Sequence, residues 1–373
     1  MAKVLSGAGL RGQVAGKTAL STVGQSGSGL TYRGYDVKDL AATCQFEEVA
    51  YLILKGNLPT QTELDAYKTK LRGLRSLPSA LKEVLERIPA NAHPMDVLRT
   101  GCSMLGNLET EVDFSQQDQV TDRMLACFPS IICYWYRFSH DGTRIDVETD
   151  DDSIGAHFLH MLHGEKPGEL HEQVMHVSLI LYAEHEFNAS TFAARVCAST
   201  LSDMHSCVTG AIGTLRGPLH GGANEAAMKM IEGFTSADHA EKEMMGKLQR
   251  KEKIMGFGHA IYSESDPRND IIKGWSEKLA ADIGDTVLYP VSVRCEEVMK
   301  REKGLFCNAD FFHASAYSFM KIPTKLFTPI FVMSRLTGWS AHVMEQRADN
   351  RIIRPSADYT GEELRPVVAI ENR

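Results

Sequence analysis

Gly217-Pro218-Leu219-His220-Gly221-Gly222-Ala223-Asn224-Glu225 sets one histidine between glycines, ahead of the helix-forming Ala226-Ala227-Met228-Lys229-Met230. Glycines on both sides let main chain and ligand approach closely, because no Cβ intrudes. The segment predicts His220 at the start of a helix, where the partial positive charge disfavours imidazolium and keeps the ring neutral. A neutral imidazole can donate a hydrogen bond to an oxyanion without surrendering its proton. A second run, Met255-Gly256-Phe257-Gly258-His259-Ala260-Ile261-Tyr262, repeats the pattern, and Asp266-Pro267-Arg268 follows closely. Either histidine by itself reads equally well as a cap or a surface residue. The two together, with an arginine just beyond the second, point to carbonyl or enol chemistry.

Outward from these runs the text is mostly helical. Thr60-Gln61-Thr62-Glu63 is a capping box opening a helix toward Arg72. His93-Pro94-Met95-Asp96 opens another, with proline in the first turn. Ser153 to His163 ends at Gly164, a stop signal. Ala189 to Gly213 is a run of small residues that predicts close helix packing, and Phe327 to Arg347 predicts a long helix with one apolar face. Only the first 35 or so residues, with turn signals at Gly24, Gly27, Gly29 and Gly34, read as short extended segments. The expected fold is mainly α.

At 373 residues the chain can hold one large or two ordinary domains. A balance of 40 Lys+Arg against 48 Asp+Glu argues against a sequence-independent nucleic-acid binder. No window reads as a membrane span or a signal peptide. The acidic run Glu148 to Asp152 predicts a solvated loop. The eight cysteines form no C-x-x-C pair and read as reduced, buried thiols, so a cytoplasmic location is expected.

Two motifs fail on inspection. Gly16-Lys17-Thr18 resembles the end of a phosphate loop, but Arg11 stands where its first glycine belongs. His157, His160 and His163 share a helical face and could hold a metal, yet no carboxylate is interleaved with them, so no metal site is assigned. A metal-dependent hydrolase or lyase built on them is the alternative of a different class. What remains is His185, His220, His259, Arg268, Asp310, Arg335 and Arg354. Asp310 sits in the aromatic text Leu305-Phe306-Cys307-Asn308-Ala309-Asp310-Phe311-Phe312, where desolvation would strengthen it as a base, although a helix cap is the simpler reading. Arginines gathered in a cleft suit a substrate with several carboxylates.

GPLHGGANEA, GFGHAIY with DPR, NADFF and SRLTGWSAHVMEQ with IIRP resemble, in order and spacing, the signature segments of the citrate synthase family. The resemblance runs from Gly29 to Pro355. It implies a nearly all-α homodimer with a large domain (1–220 and 326–373) and a smaller mobile one (221–325). It implies Asp310 as the base acting on the carbon α to an acyl-CoA thioester, His220 as the group stabilising the enol or enolate, and His259 as the donor to the oxaloacetate carbonyl. His185, His259, Arg268 and Arg335 would hold oxaloacetate, with Arg354 reaching in from the partner subunit. The backbone of Lys253, Ile254, Met255, Gly256 and Phe257 would meet the adenine of coenzyme A, which is a substrate here, so no cofactor is implied. Ser263 stands where many members carry a basic residue, and the cation for the coenzyme A phosphates stays unassigned. Ala183–Thr191 and Glu345–Tyr359 resemble the branch that takes propionyl-CoA and forms 2-methylcitrate; acetyl-CoA as main substrate is the alternative.

Overall fold

The computed structural model describes residues 9–10, 13–25 and 29–373. A small antiparallel sheet comes first: β1 Ser21–Gln25, β2 Gly29–Tyr32 and β3 Tyr35–Asp36. Ser21 lies opposite Tyr32 and Thr31 opposite Asp36, so Leu30 and Tyr32 bury one face. The extended reading of this region is met; Gly24 and Gly34 do take positive φ, and Gly27 lies outside the described residues. After Gly16-Lys17-Thr18 the chain enters β1, not the helix that a phosphate loop requires.

Sixteen α-helices follow among the described residues. The first eight are α1 Val37–Thr43, α2 Phe46–Lys55, α3 Gln61–Arg72, α4 Ser79–Glu86, α5 Pro94–Leu108, α6 Gln117–Asp141, α7 Ile154–His163 and α8 Glu169–Tyr182. The rest are α9 Ala189–Ser199, α10 Met204–Leu215, α11 Ala223–Ile231, α12 Ala237–Gln249, α13 Pro267–Ile283, α14 Leu288–Lys303, α15 Ala309–Phe319 and α16 Phe327–Ala348. Three helix boundaries form where the sequence predicts them. Thr60 and Glu63 close the capping box of α3, the His93 ring accepts from the Met95 N–H at α5, and Gly164 ends α7 in the left-handed region.

One expectation is met and one changes. The small-residue run forms two helices packed on each other, α9 and α10, divided where Leu201 turns left-handed at φ 67 and Asp203 caps α10 by accepting from the Ser206 N–H. And α16 has no solvent face over most of its length: from Phe327 to Val343 every residue is buried, Ser334, Arg335, Thr337, Ser340 and His342 included. It is the central rod against which α2, α6, α8, α9 and α10 pack. Gly338 permits that approach, since a Cβ there would meet the Ala183 carbonyl at 2.5 Å as well as the Glu184 carboxylate. Meanwhile α11 packs on α15, α12 on α14, and α13 on α15.

The acidic run is only partly solvated. Asp151 is buried and accepts from His160 Nδ1 at 2.7 Å, and Asp152 pairs with Lys68 at 2.6 Å. The three α7 histidines do not converge: His157 is buried between the Ser130 and Thr149 hydroxyls, while His160 turns to Asp151.

Candidate active site

The loop between α8 and α9 carries His185, and buried charge holds it in place. Glu184 accepts from the Ser21 hydroxyl at 2.9 Å, from its near neighbour's Glu186 N–H, and from His342 Nε2 at 2.8 Å. Because His342 donates through Nε2, its Nδ1 accepts from Arg195 Nη1 at 3.0 Å. His185 Nε2 lies 3.0 Å from the Tyr262 hydroxyl, and its ring centroid lies 5.1 Å from that of His259. Burial holds the His185 imidazole well below its ordinary range, reinforced by Arg268, His259, Arg335 and His220, so it is neutral.

His259 follows a loop stitched to the start of α15. The Gly258 N–H donates to the Phe306 carbonyl at 2.8 Å, the Asn308 N–H donates to the Gly256 carbonyl at 3.0 Å, and Phe257 bridges Cys307. Gly256 takes φ 90, and a Cβ there would fall 2.8 Å from the Phe311 ring. His259 Nδ1 accepts from the N–H groups of Ile261 (3.1 Å) and Tyr262 (3.3 Å), so the proton sits on Nε2. Burial, with Arg268 nearby, lowers its pKa to about 4.

His220 lies just ahead of α11, whose cap is Gly222, and the helix terminus that governs its ring is a different one. The Ser190 N–H, in the first turn of α9, donates to His220 Nε2 at 3.3 Å, and the Ser190 hydroxyl lies 2.8 Å away. Nε2 is therefore the acceptor and Nδ1 carries the proton. The expected neutrality holds for another reason: burial, then Arg335, lowers the pKa to about 4.

Asp266 caps α13 and accepts from Arg268 at 2.9 and 2.8 Å. The same carboxylate accepts from the Ala309 N–H at 3.0 Å, which locks α13 to the first turn of α15. Asp310 is the second residue of α15 and is not its cap; Asn308 is, accepting from the Asp310 N–H at 3.1 Å. The Asp310 carboxylate accepts from the Tyr182 hydroxyl at 2.8 Å. Burial pushes the carboxyl up to about 6, against the lowering effect of Tyr182 and Arg268.

Arg335 is 1% exposed and makes no ion pair among the described residues. Its Nε donates to the Tyr182 carbonyl at 2.6 Å and its guanidinium lies 4.8 Å from the Phe331 ring centroid. Burial lowers its pKa to about 10, so it remains cationic at neutral pH. The buried guanidinium has the Glu184 charge as a favourable neighbour beyond ion-pair distance, and a further anion beside it would offset the cost of its burial. Neutral imidazole donors beside this cation can therefore take a small carboxylate and polarise a carbonyl on it.

Six of the seven singled-out residues thus meet through a continuous set of contacts. Arg354 does not: it is exposed in the coil after α16, whose last hydrogen bond to the body among the described residues is the Ile353 N–H on the Ser199 hydroxyl at 3.0 Å. Lys253 is exposed, whereas Gly256 is buried against α15. Sequence reading missed Tyr182, Ser190, Tyr262 and Asp266. Tyr182 ends the apolar text of α8 and looks like core; Asp266 was legible only as a cap before Pro267.

The family described as citrate synthase, C-terminal domain, matches residues 9–356. A 2-methylcitrate synthase from Shewanella oneidensis is 76% identical over 372 residues, covering 100% of this chain and 99% of its own. Citrate synthase 2 of Bacillus subtilis is 41% identical, covering 98% of each chain. The ternary complex of Thermoplasma acidophilum citrate synthase with carboxymethyl coenzyme A and oxaloacetate superposes with a TM-score of 0.90. It is 32% identical and covers 97% of this chain and 98% of that one.

Proposed function

The chain belongs to the citrate synthase family, and we propose that within it the protein condenses propionyl-CoA with oxaloacetate and water, giving 2-methylcitrate and free coenzyme A. The observation that carries the substrate choice is whole-length identity of 76% to the Shewanella oneidensis 2-methylcitrate synthase. Asp310 removes a proton from the carbon α to the thioester. His220 Nδ1–H donates to the thioester oxygen as the enol or enolate forms. His259 Nε2–H donates to the oxaloacetate carbonyl, the nucleophilic carbon attacks that carbonyl carbon, and the developing alkoxide takes the Nε2 proton from His259. Water then cleaves the thioester and releases the thiol. His185, His259, Arg268 and Arg335 hold oxaloacetate. The backbone of Lys253–Phe257 meets the adenine, and the reaction calls for no metal or cofactor.

A pocket distinguishes one methylene by only about 1–3 kcal/mol, roughly 10–200-fold. Both acyl-CoA substrates are therefore expected to turn over, with kcat/KM higher for propionyl-CoA. Thiol release measured side by side with acetyl-, propionyl- and butyryl-CoA, in excess EDTA, checks this. A preference for acetyl-CoA reassigns the protein as a citrate synthase; loss of activity restored by zinc rejects the mechanism.

Asp310 must be ionised to act, and its carboxyl lies at about 6. Activity is therefore expected to fall on the acid side with an apparent pKa near 6. The histidines titrate lower, at about 4, and do not set this limb. A kcat/KM profile flat down to pH 5 would assign the base elsewhere.

The smaller domain, in this reading, is 221–325, supported by the packing of α11 to α15 on one another while α16 returns to the body. The protein acts as a homodimer. Support comes from the exposed tail, where Ile352, Tyr359, Leu364 and Val367 are uncovered alongside Arg354. Arg354 then serves the partner's site. Mixing Arg354→Ala subunits with Asp310→Asn subunits is expected to regenerate one intact site per heterodimer. Mixtures as inactive as both parents would confine the arginine to its own subunit or to no site. No helix among the described residues is long and apolar enough to cross a membrane, and all eight cysteines are free, as suits a reducing cytoplasm.

A further inference from the structure

We infer that Tyr182 is the positioning residue of the base: its hydroxyl pins one oxygen of Asp310 so that the other is presented to the acyl carbon. An aspartate carboxylate has a broad, two-fold terminal torsion, so nothing in its own bonding chooses which oxygen faces the substrate. Proton abstraction requires that choice to be made, since reach and alignment decide the rate. The groups around Asp310 come from four elements. Tyr182 is at the end of α8, Asp266 and Arg268 are at the start of α13, Arg335 is on α16, and Tyr317 is on its own helix α15. Among the described residues only Tyr182 hydrogen-bonds the carboxylate, at 2.8 Å to Oδ1.

The tyrosine is itself held on every side. Its ring lies between those of His313 (4.3 Å, 31°) and Phe331 (4.0 Å, 26°). Its carbonyl accepts from Arg335 Nε at 2.6 Å, and the residue is 1% exposed. A buried ring packed against two other rings has little room to swing, so the hydroxyl is a steady reference point for Asp310. Burial and the neighbouring Asp310 charge hold the phenol well above its ordinary range, so it remains a donor throughout the working pH range. The bond also spans α8 and α15, and Arg335 touches the same tyrosine. The element that holds the base is thereby tied to the buried cation that receives the carboxylate substrate.

The inference rests on the acyl-CoA reading of Asp310, and the test keeps the two apart. Thiol release from propionyl-CoA and oxaloacetate is followed between pH 5.5 and 8.5 for wild type, Tyr182→Phe, Asp310→Asn and the double variant. Tyr182→Phe keeps the stacked ring and removes only the donor. It is expected to lose roughly tenfold in kcat while KM for oxaloacetate stays within about twofold. Its acid limb is expected to move to higher pH, because the ionised carboxylate has lost a hydrogen bond that favoured it. Added to Asp310→Asn, the same change is expected to cost nothing further.

Wild-type kcat with an unmoved acid limb in Tyr182→Phe, or losses that multiply in the double variant, overturn the inference. So does a Tyr182→Phe protein whose melting temperature no longer rises with oxaloacetate, since the tyrosine then holds the whole site together. A wild-type protein that releases no thiol from any short acyl-CoA rejects the functional reading and the inference with it. An active wild type beside an unaffected Tyr182→Phe rejects the inference alone.

Discussion

Asp310→Asn is expected to lose about 10²–10⁴-fold in turnover while the protein stays folded. The amide matches the carboxylate in shape and can still accept from the Tyr182 hydroxyl, so the site geometry is kept. It cannot take a proton from carbon, and that is the whole of the change. Stability is not at risk either. Asp310 is raised in the fold to about 6 from an ordinary 3.8, so the folded state binds its proton more tightly than the unfolded chain does. Its stabilising effect is present below the unfolded value and is lost as pH rises through about 6. At pH 8 a neutral amide should therefore melt no lower than the wild type. Retention of more than roughly a tenth of wild-type turnover would identify another base.

His220→Ala should cost about 10²–10³-fold, the usual penalty for removing one donor from a developing oxyanion. The direction of its proton makes the argument specific. The Ser190 N–H occupies Nε2, so Nδ1–H is the only donor the ring can offer. The Ser190 hydroxyl also accepts from Trp339 Nε1 at 3.1 Å, which fixes the serine on buried α16. Losing the ring should leave KM for oxaloacetate little changed, since that substrate is held by other residues. A large rise in KM with kcat intact would move His220 from the enol to oxaloacetate binding.

Local chemistry made much of this legible beforehand. The capping box at Thr60, the His93 cap and the Gly164 stop are short-range devices whose partners lie within one helical turn, and all three form. The left-handed turn at Leu201 is equally local, but the run of small residues around it carries no apolar periodicity to mark where one helix ends. The Ser202-Asp203 pair was the available signal, and it reads as a cap only once a break is suspected.

Asp310 shows the limit most clearly. A carboxylate in a helical first turn is normally a cap or a dipole partner, and sequence favoured that reading. Its distinctiveness comes from Tyr182, 128 positions away, and from the buried arginines that face it.

By itself the sequence determined the helical class, the order of the motif segments, and the chemical kinds of group available: two glycine-flanked histidines, one carboxylate in aromatic text, and arginines for an acidic substrate. Residue type and near-neighbour spacing suffice for that, because caps, turns and close backbone approach depend on a few consecutive residues. Only the tertiary structure decided which nitrogen of each histidine carries its proton, that burial and Arg335 keep His220 neutral, and that Arg335 is buried with no ion pair among the described residues while Arg354 is exposed. Those properties are set by desolvation and by partners brought from distant helices, and neither exists until the chain has packed around α16.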